Sequence, residues 1–367
     1  MTTDRTPAGF LPEDFQSDDT SFRFSHTDNV PRALEQLGVT LCVSTYQAGK
    51  LAVFYANDGR LTMLPRTFDK AMGFAINHDQ LALGTRFQVW TLKNEPILVP
   101  KLGPHGEYDA CYVPRTSHVT GYIDIHEMAF GSGELWVVNT AFSCLCTLDS
   151  RYSFVPRWRP PFVSEIQRGD RCHLNGVAMQ DGSPRYVTAF AETDTAEAWR
   201  EHKRDGGCVI DVQTNKIVAR GFSMPHSPRV DAAGKLWLLD SGNGRLVTVD
   251  PASGESTIVC ALPGFTRGLA FCGPYAFVGL SKVREKAVFG GIKIEETISD
   301  PKSGVWIVDT RTGETVGFIE FEKTIEEVFD VQVLTGIRRP AVVGLQKPTI
   351  QKACVVGPEL GIHFRPT

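Results

Sequence analysis

No apolar run in this 367-residue chain approaches the roughly 20 residues that a bilayer-spanning helix requires. The opening Met1-Thr2-Thr3-Asp4-Arg5 also lacks the apolar stretch of a secretory leader. The expectation is a protein with no membrane partner, working in the cytoplasm. A basic excess is missing too: 38 Lys and Arg stand against 42 Asp and Glu, a net charge of −4. That balance argues against general nucleic-acid binding, which rests on clustered cations. Paired metal-ligand spacing is absent from the nine cysteines. Cys144 and Cys146 stand one residue apart with no partner pair, and alternation along one strand face accounts for them. The remaining cysteines are scattered, mostly through strand-like runs, and read as reduced core thiols. Helical periodicity is nearly absent as well. The exception is Pro31–Leu37, with proline in its first turn and Gly38 behind it.

What the chain does have is glycine (34), proline (22) and short apolar runs that recur. One recurring run ends in a small or polar residue: Leu41–Thr45, Leu81–Thr85, Leu135–Thr140, Tyr186–Phe190, Leu236–Ser241, Ala276–Ser281 and Ala341–Leu345. Several are followed by a strand, an aspartate, a four-residue turn and a second strand, as in Leu246-Val-Thr-Val-Asp-Pro-Ala-Ser-Gly-Glu255. Repeats at such intervals mark an all-β propeller, each unit being one blade. Seven runs give seven blades. Six is the alternative, because the first unit has no evident innermost strand and would borrow one from the C-terminus. Residues 1–28 read as a flexible polar arm, and 29–367 as one propeller domain.

A second element precedes six of the runs. Met72, His126, His173, His226, Arg267 and Asp330 lie 9 to 13 residues before Leu81, Trp136, Tyr186, Trp237, Phe277 and Val342. They therefore share one position, the entry of the innermost strand, which rims the channel. Imidazoles from consecutive blades at one level provide the neutral nitrogen ligands that a divalent ion takes, zinc first, iron or copper otherwise. The candidate metal ligands are His126, His173 and His226. A lone histidine at a strand start is ordinarily structural; three at one repeat offset carry the argument. Arg267 and the loop cations Arg284, Lys282 and Arg200 are candidates for holding an anionic substrate, with Asn139, Asp194 and Ser241 at the same mouth. Asp330, Asp240 and Asn175 are candidates for proton transfer or for orienting a histidine. Glu127 is expected to point away from the axis by strand alternation.

Several phrases are long enough to be specific: Ile125-His-Glu-Met-Ala129, Asp170-Arg-Cys-His-Leu-Asn-Gly176, Ser223-Met-Pro-His-Ser-Pro-Arg229, Pro263-Gly-Phe-Thr-Arg-Gly-Leu-Ala270 and Val278-Gly-Leu-Ser-Lys-Val-Arg284. They resemble a bacterial family of conserved hypothetical proteins that carries a domain-of-unknown-function label. The resemblance spans about residues 35 to 345 and implies the propeller fold, with no activity to carry over. Peptidyl-hydroxyglycine lyases are similar in layout only, holding zinc with three histidines at a propeller axis. The expectation is a metal-dependent enzyme acting on a small anionic organic substrate, a lyase or hydrolase before an oxygenase. The alternative is a propeller without catalysis that binds a small ligand or a protein at the same face.

Overall fold

A computed structural model describes residues 22–102, 107–282, 290–322, 325–346 and 349–357. The chain begins with β1 (Arg23–His26) and α1 (Val30–Leu37), followed by β2 (Val39–Thr45), β3 (Lys50–Asn57) and β4 (Arg60–Thr67). The second unit is β5 (Phe74–Ile76), β6 (Gln80–Gly84), β7 (Gln88–Asn94) and β8 (Ala110–Val119). The third is β9 (Ile125–Gly131), β10 (Glu134–Asn139), β11 (Cys144–Asp149) and β12 (Tyr152–Trp158). The fourth is β13 (Leu174–Gln180), β14 (Ser183–Ala189), β15 (Gly207–Asp211) and β16 (Lys216–Phe222). The fifth is β17 (Pro225–Val230), β18 (Leu236–Asp240), β19 (Arg245–Val249) and β20 (Ser256–Ala261). The sixth is β21 (Phe265–Cys272), β22 (Tyr275–Ser281), β23 (Gly304–Asp309) and β24 (Thr315–Glu322). The chain then runs through β25 (Asp330–Thr335) and β26 (Pro340–Val342).

These strands make six sheets, each with an antiparallel four-stranded core, so the propeller has six blades. The ring closes by strand exchange. β25 supplies the innermost strand of blade one and pairs with β2 from Ser44↔Asp330 to Val39↔Thr335. The expected loan from the C-terminus is therefore real, while the count of seven is not. Ala341–Leu345 is no second strand of a further blade. Its first residues belong to β26, which adds parallel to β8 at the outer edge of blade two. Ala341, Val342 and Val343 are buried there, and burial at an edge gives a strand the same apolar signature as burial in mid-sheet. Residues Arg23–His26, expected within the polar arm, form β1, which pairs antiparallel with β24 on blade six.

The core lies between neighbouring blades. Val138 and Leu145 of blade three pack with Val187 and Ile210 of blade four, and Leu239 and Leu246 of blade five with Val278 and Trp306 of blade six. Helix α1 ends on left-handed Gly38 and buries Val30 and Leu34 against Phe54 and Ile319, over the seam between blades one and six. None of the described helices is long and apolar enough to cross a membrane. The nine cysteines are unpaired and, apart from Cys272 and Cys354, buried.

Six strands meeting at an axis leave little room. A Cβ on Gly73 of blade two would overlap the His126 carbonyl of blade three, and one on Gly176 of blade four would overlap Pro228 of blade five. Gly268 of blade six, at φ +82°, lies against the backbone of Asp330 and Val331 in blade one. Below the strand entries, Glu127, Arg229 and Asp330 come from blades three, five and one and meet by crossing the channel. Arg229 pairs with Glu127, and its other terminal nitrogen lies 4.0 Å from Asp330 Oδ1. Glu127 therefore turns into the channel beneath the histidines, where Arg229 and the Val177 N–H (2.8 Å) hold it.

Gly268→Ala combines a left-handed backbone with a backbone clash. It is expected to cost about 2–5 kcal/mol in urea unfolding. Gly59→Ala, at φ +73° with open space around it, is expected to cost only about 1 kcal/mol. Equal losses would mean that ring closure does not depend on close approach at the axis.

Candidate functional site

The mouth is formed by the entries of the inner strands together with the turns that follow the second strands. It encloses a cavity of about 510 Å³ lined by His126, His173, His226, Arg267, Arg200 and Lys282, among others. The three histidines of blades three, four and five do converge. The ring centres of His126 and His173 are 4.6 Å apart, and those of His126 and His226 are 6.5 Å apart.

Local backbone geometry fixes each ring through Nδ1. Asp124, two residues before His126, has φ +54°, and Met224, two residues before His226, has φ +48°. Their carbonyls turn back to accept the imidazole Nδ1–H at 3.2 and 2.9 Å. Lys70, two residues before Met72, takes φ +56° at the equivalent place in blade two, so blades two, three and five share the kink. Thr140 and Ser241, at the ends of the second strands, reinforce the two rings at 2.9 and 3.0 Å. Blade four differs. His173 itself has φ +50°, and its Nδ1 bonds the Asp170 carboxylate at 2.7 Å. Trp199 Nε1 donates to the same oxygen at 2.9 Å. With Nδ1 engaged in all three rings, Nε2 is the nitrogen each has left to offer the cavity.

Burial sets the electrostatics. It holds His126 and His226 well below the ordinary histidine value, with the Arg267 charge adding to the effect, so both rings are neutral at pH 7. It also raises Asp124, against the opposing pull of His173. Arg267 is only 6% exposed. Its guanidinium carbon sits 3.4 Å from the centre of the Phe329 ring, and Nη1 reaches Glu327 Oε1 at 3.4 Å. Its Nη2 is buried without a hydrogen-bond partner among the described residues, as is Asp170 Oδ1.

The remaining site expectations fare unevenly. Lys282 and Arg200 line the cavity, Arg200 resting on Trp199 and paired with Glu197. Ser241 serves behind His226 rather than facing a ligand. Asp330 lies on the tier below, accepting from the Phe74 N–H and Gln332. Asp240 holds the Ser223 N–H and Asn243, a turn-building role that its short side chain suits. Asn175 accepts from Thr188, and Asn139 from the Phe142 N–H. Asp194 is tied to Arg171 and the Ser164 N–H. None of these six residues lines the cavity. Arg284 lies outside the described residues. Sequence reasoning gave no role to Asp124 and Asp170, although they stand two and three residues before a rim histidine. It also gave none to Phe190, Phe265, Phe329 and Glu327, whose apolar or exposed sequence surroundings carry no functional signal.

An exact three-histidine ion site is not assembled. Two imidazoles on one tetrahedral ion place their ring centres about 5 Å apart. The His126–His173 pair meets that spacing, but His126 and His226 are wider and nearly parallel, with planes 19° apart. Among the described residues no group of three or more His, Cys, Asp or Glu is placed to hold a metal.

Comparison with known proteins agrees with the architecture. A solved nidogen/laminin complex contains a chain similar to this one at a TM-score of 0.53 and 10% identity, covering 82% of this chain and 99% of that one. A protein of unknown function from Bacteroides caccae is similar at a TM-score of 0.51 and 8% identity, covering 81% and 98%. At these identities the likeness is one of fold alone. No curated protein matches the chain by sequence. The model of a family described as a domain of unknown function, DUF4915, matches residues 28–343, and the chain belongs to that family.

Proposed function

We propose that the channel mouth is the active site of a lyase or hydrolase that acts on a small anionic organic substrate. One observation carries the reading: a carboxylate-oriented imidazole, His173 with Asp170, opens into the same cavity as a buried guanidinium with an unused N–H. Arg267 holds the anionic group of the substrate. His173 Nε2 takes a proton from the substrate or from a water beside it, and Asp170 offsets the imidazolium charge that results. Neutral His126 and His226 remain available as hydrogen-bond acceptors in the same space.

A second reading, a divalent ion as cofactor on these imidazoles, is favoured by the uniform engagement of Nδ1. Metal-ligating histidines characteristically donate that N–H to a carbonyl or carboxylate. His126 and His173 have the spacing for one ion, and His226 would have to move to join them. Zinc suits this ligand set, and iron or copper would accept it.

Three outcomes are expected. Mass spectrometry of pooled small carboxylates and phosphates incubated with the protein should reveal a product. Its formation should fall about 10²–10⁴-fold in His173→Gln and substantially in Asp170→Asn. Turnover unchanged in both variants would overturn the reading. Elemental analysis of untagged protein separates the two readings: stoichiometric metal, lost in the triple His→Ala variant, supports the second and displaces the first.

The third concerns pH. Unfolded histidine titrates near 6.5, whereas His126 and His226 stay neutral to lower pH in the fold. Their contribution to stability is complete above about 6.5 and is lost as pH falls toward their folded values. The loss is at most about 1.4 kcal/mol per pH unit for each ring. Urea unfolding of the wild type should therefore drop more steeply below pH 6.5 than that of the His126→Gln/His226→Gln variant. Parallel profiles would show that the rings are already charged.

A further inference from the structure

We infer that the substrate is an apolar monocarboxylate, its carboxylate on Arg267 Nη2 and its body among Phe190, Trp199 and Phe265. This deepens the reading of the mouth as a substrate site and rests on it.

The charge balance around Arg267 sets the anion. The guanidinium is buried, one face is covered by Phe329, and Nη1 is taken by Glu327, which leaves Nη2 as the buried N–H still lacking an acceptor. A buried cation with an unmade hydrogen bond is costly, and a ligand oxygen is what completes it. Of the cavity's other cations, Arg168, Arg200 and Lys282, Arg200 is paired with Glu197 and Arg168 lies over Tyr122. The charges that act on Arg267 itself are Glu327, Asp124 and Asp330. A phosphate dianion would bring two charges against these carboxylates. A carboxylate brings one, and its two oxygens suit a guanidinium edge.

The walls set the body. His173 is flanked by Phe190 at 4.3 Å and Trp199 at 4.4 Å, and His226 by Phe190 at 5.1 Å and Phe265 at 5.6 Å. A substrate reaching His173 from Arg267 therefore meets this aromatic surface, beside polar lining groups that include Tyr46, Asp124 and Ser281. An organic cation is disfavoured by the cations that already cover several of the rings. Lys70 lies over Tyr46, Arg168 over Tyr122, Arg200 over Trp199 and Arg267 over Phe329, at 4.4, 5.3, 4.5 and 3.4 Å. Four aromatic faces at the mouth carry a cation of the protein's own, the inverse of a cage for ammonium groups. A cavity of about 510 Å³ accepts an organic acid with one or two rings.

The experiment is calorimetric titration of the full chain with phenylacetate, indole-3-acetate, methyl phenylacetate and inorganic phosphate. The two carboxylates are expected to bind at least about tenfold more tightly than the ester or phosphate, and to lose at least about tenfold in Arg267→Gln. Glu327→Gln gives a second readout that does not require loss of the buried arginine. With one carboxylate removed, affinity for phosphate should rise several-fold. Phosphate or the ester binding the wild type as tightly as phenylacetate would overturn the inference, as would carboxylate affinity unchanged in Arg267→Gln. Carboxylate binding with no turnover of any acid would sink the enzyme reading and leave this subsite standing. Turnover of a phosphorylated compound in place of any carboxylate would do the reverse.

Discussion

Everything at the mouth depends on how closely six inner strands approach one another around the axis. Glycine is required where neighbouring inner strands touch, at positions 73, 176 and 268, in alternate blades. The same crowding brings residues at the strand entries within a few ångströms of one another although about fifty residues of chain separate them. His126 and His173 sit nearly in contact for that reason. No local feature of either segment brings them together.

The channel has two tiers with different chemistry. Above, the imidazoles, Arg267 and aromatic rings open to a cavity. Below, Glu127, Arg229 and Asp330 reach across from alternate blades and fill the axis. Burial raises the Glu127 and Asp330 carboxyls, and Arg229 pulls both back down. An ionic crossing of this kind ties three blades together. His126 and Glu127, neighbours in sequence, serve different tiers of the channel because the register of β9 against β10 shifts across them, an irregularity that interrupts strict alternation.

Much of the site was legible because the repeat is legible. Once the apolar runs were aligned, six strand entries fell on one level, and the structure gathers four of those residues, His126, His173, His226 and Arg267, around one cavity. The alignment failed at its last member. Asp330 does open an inner strand, but that strand pairs backward with β2 and not forward with Ala341–Leu345. The loop candidates Asp194, Asp240 and Asn139 were placed by blade position, which gives the correct end of a strand but not the direction of a side chain. Short polar side chains at such ends satisfy nearby backbone N–H groups first. Asp240 on Ser223 and Asn139 on Phe142 are instances.

The sequence by itself determined the all-β class, the radial repeat and the level at which the histidines stand. These follow from strand period, turn chemistry and spacing, which are local properties of the chain. Only the tertiary structure decided the number of blades, because β26 and a true blade strand bury the same apolar residues and differ only in what lies beside them. Only the tertiary structure, too, set Asp170 behind His173, Phe329 beneath Arg267 and Arg229 across the axis. Partnership and burial belong to the closed ring, and ring closure is a contact between residues nearly three hundred positions apart.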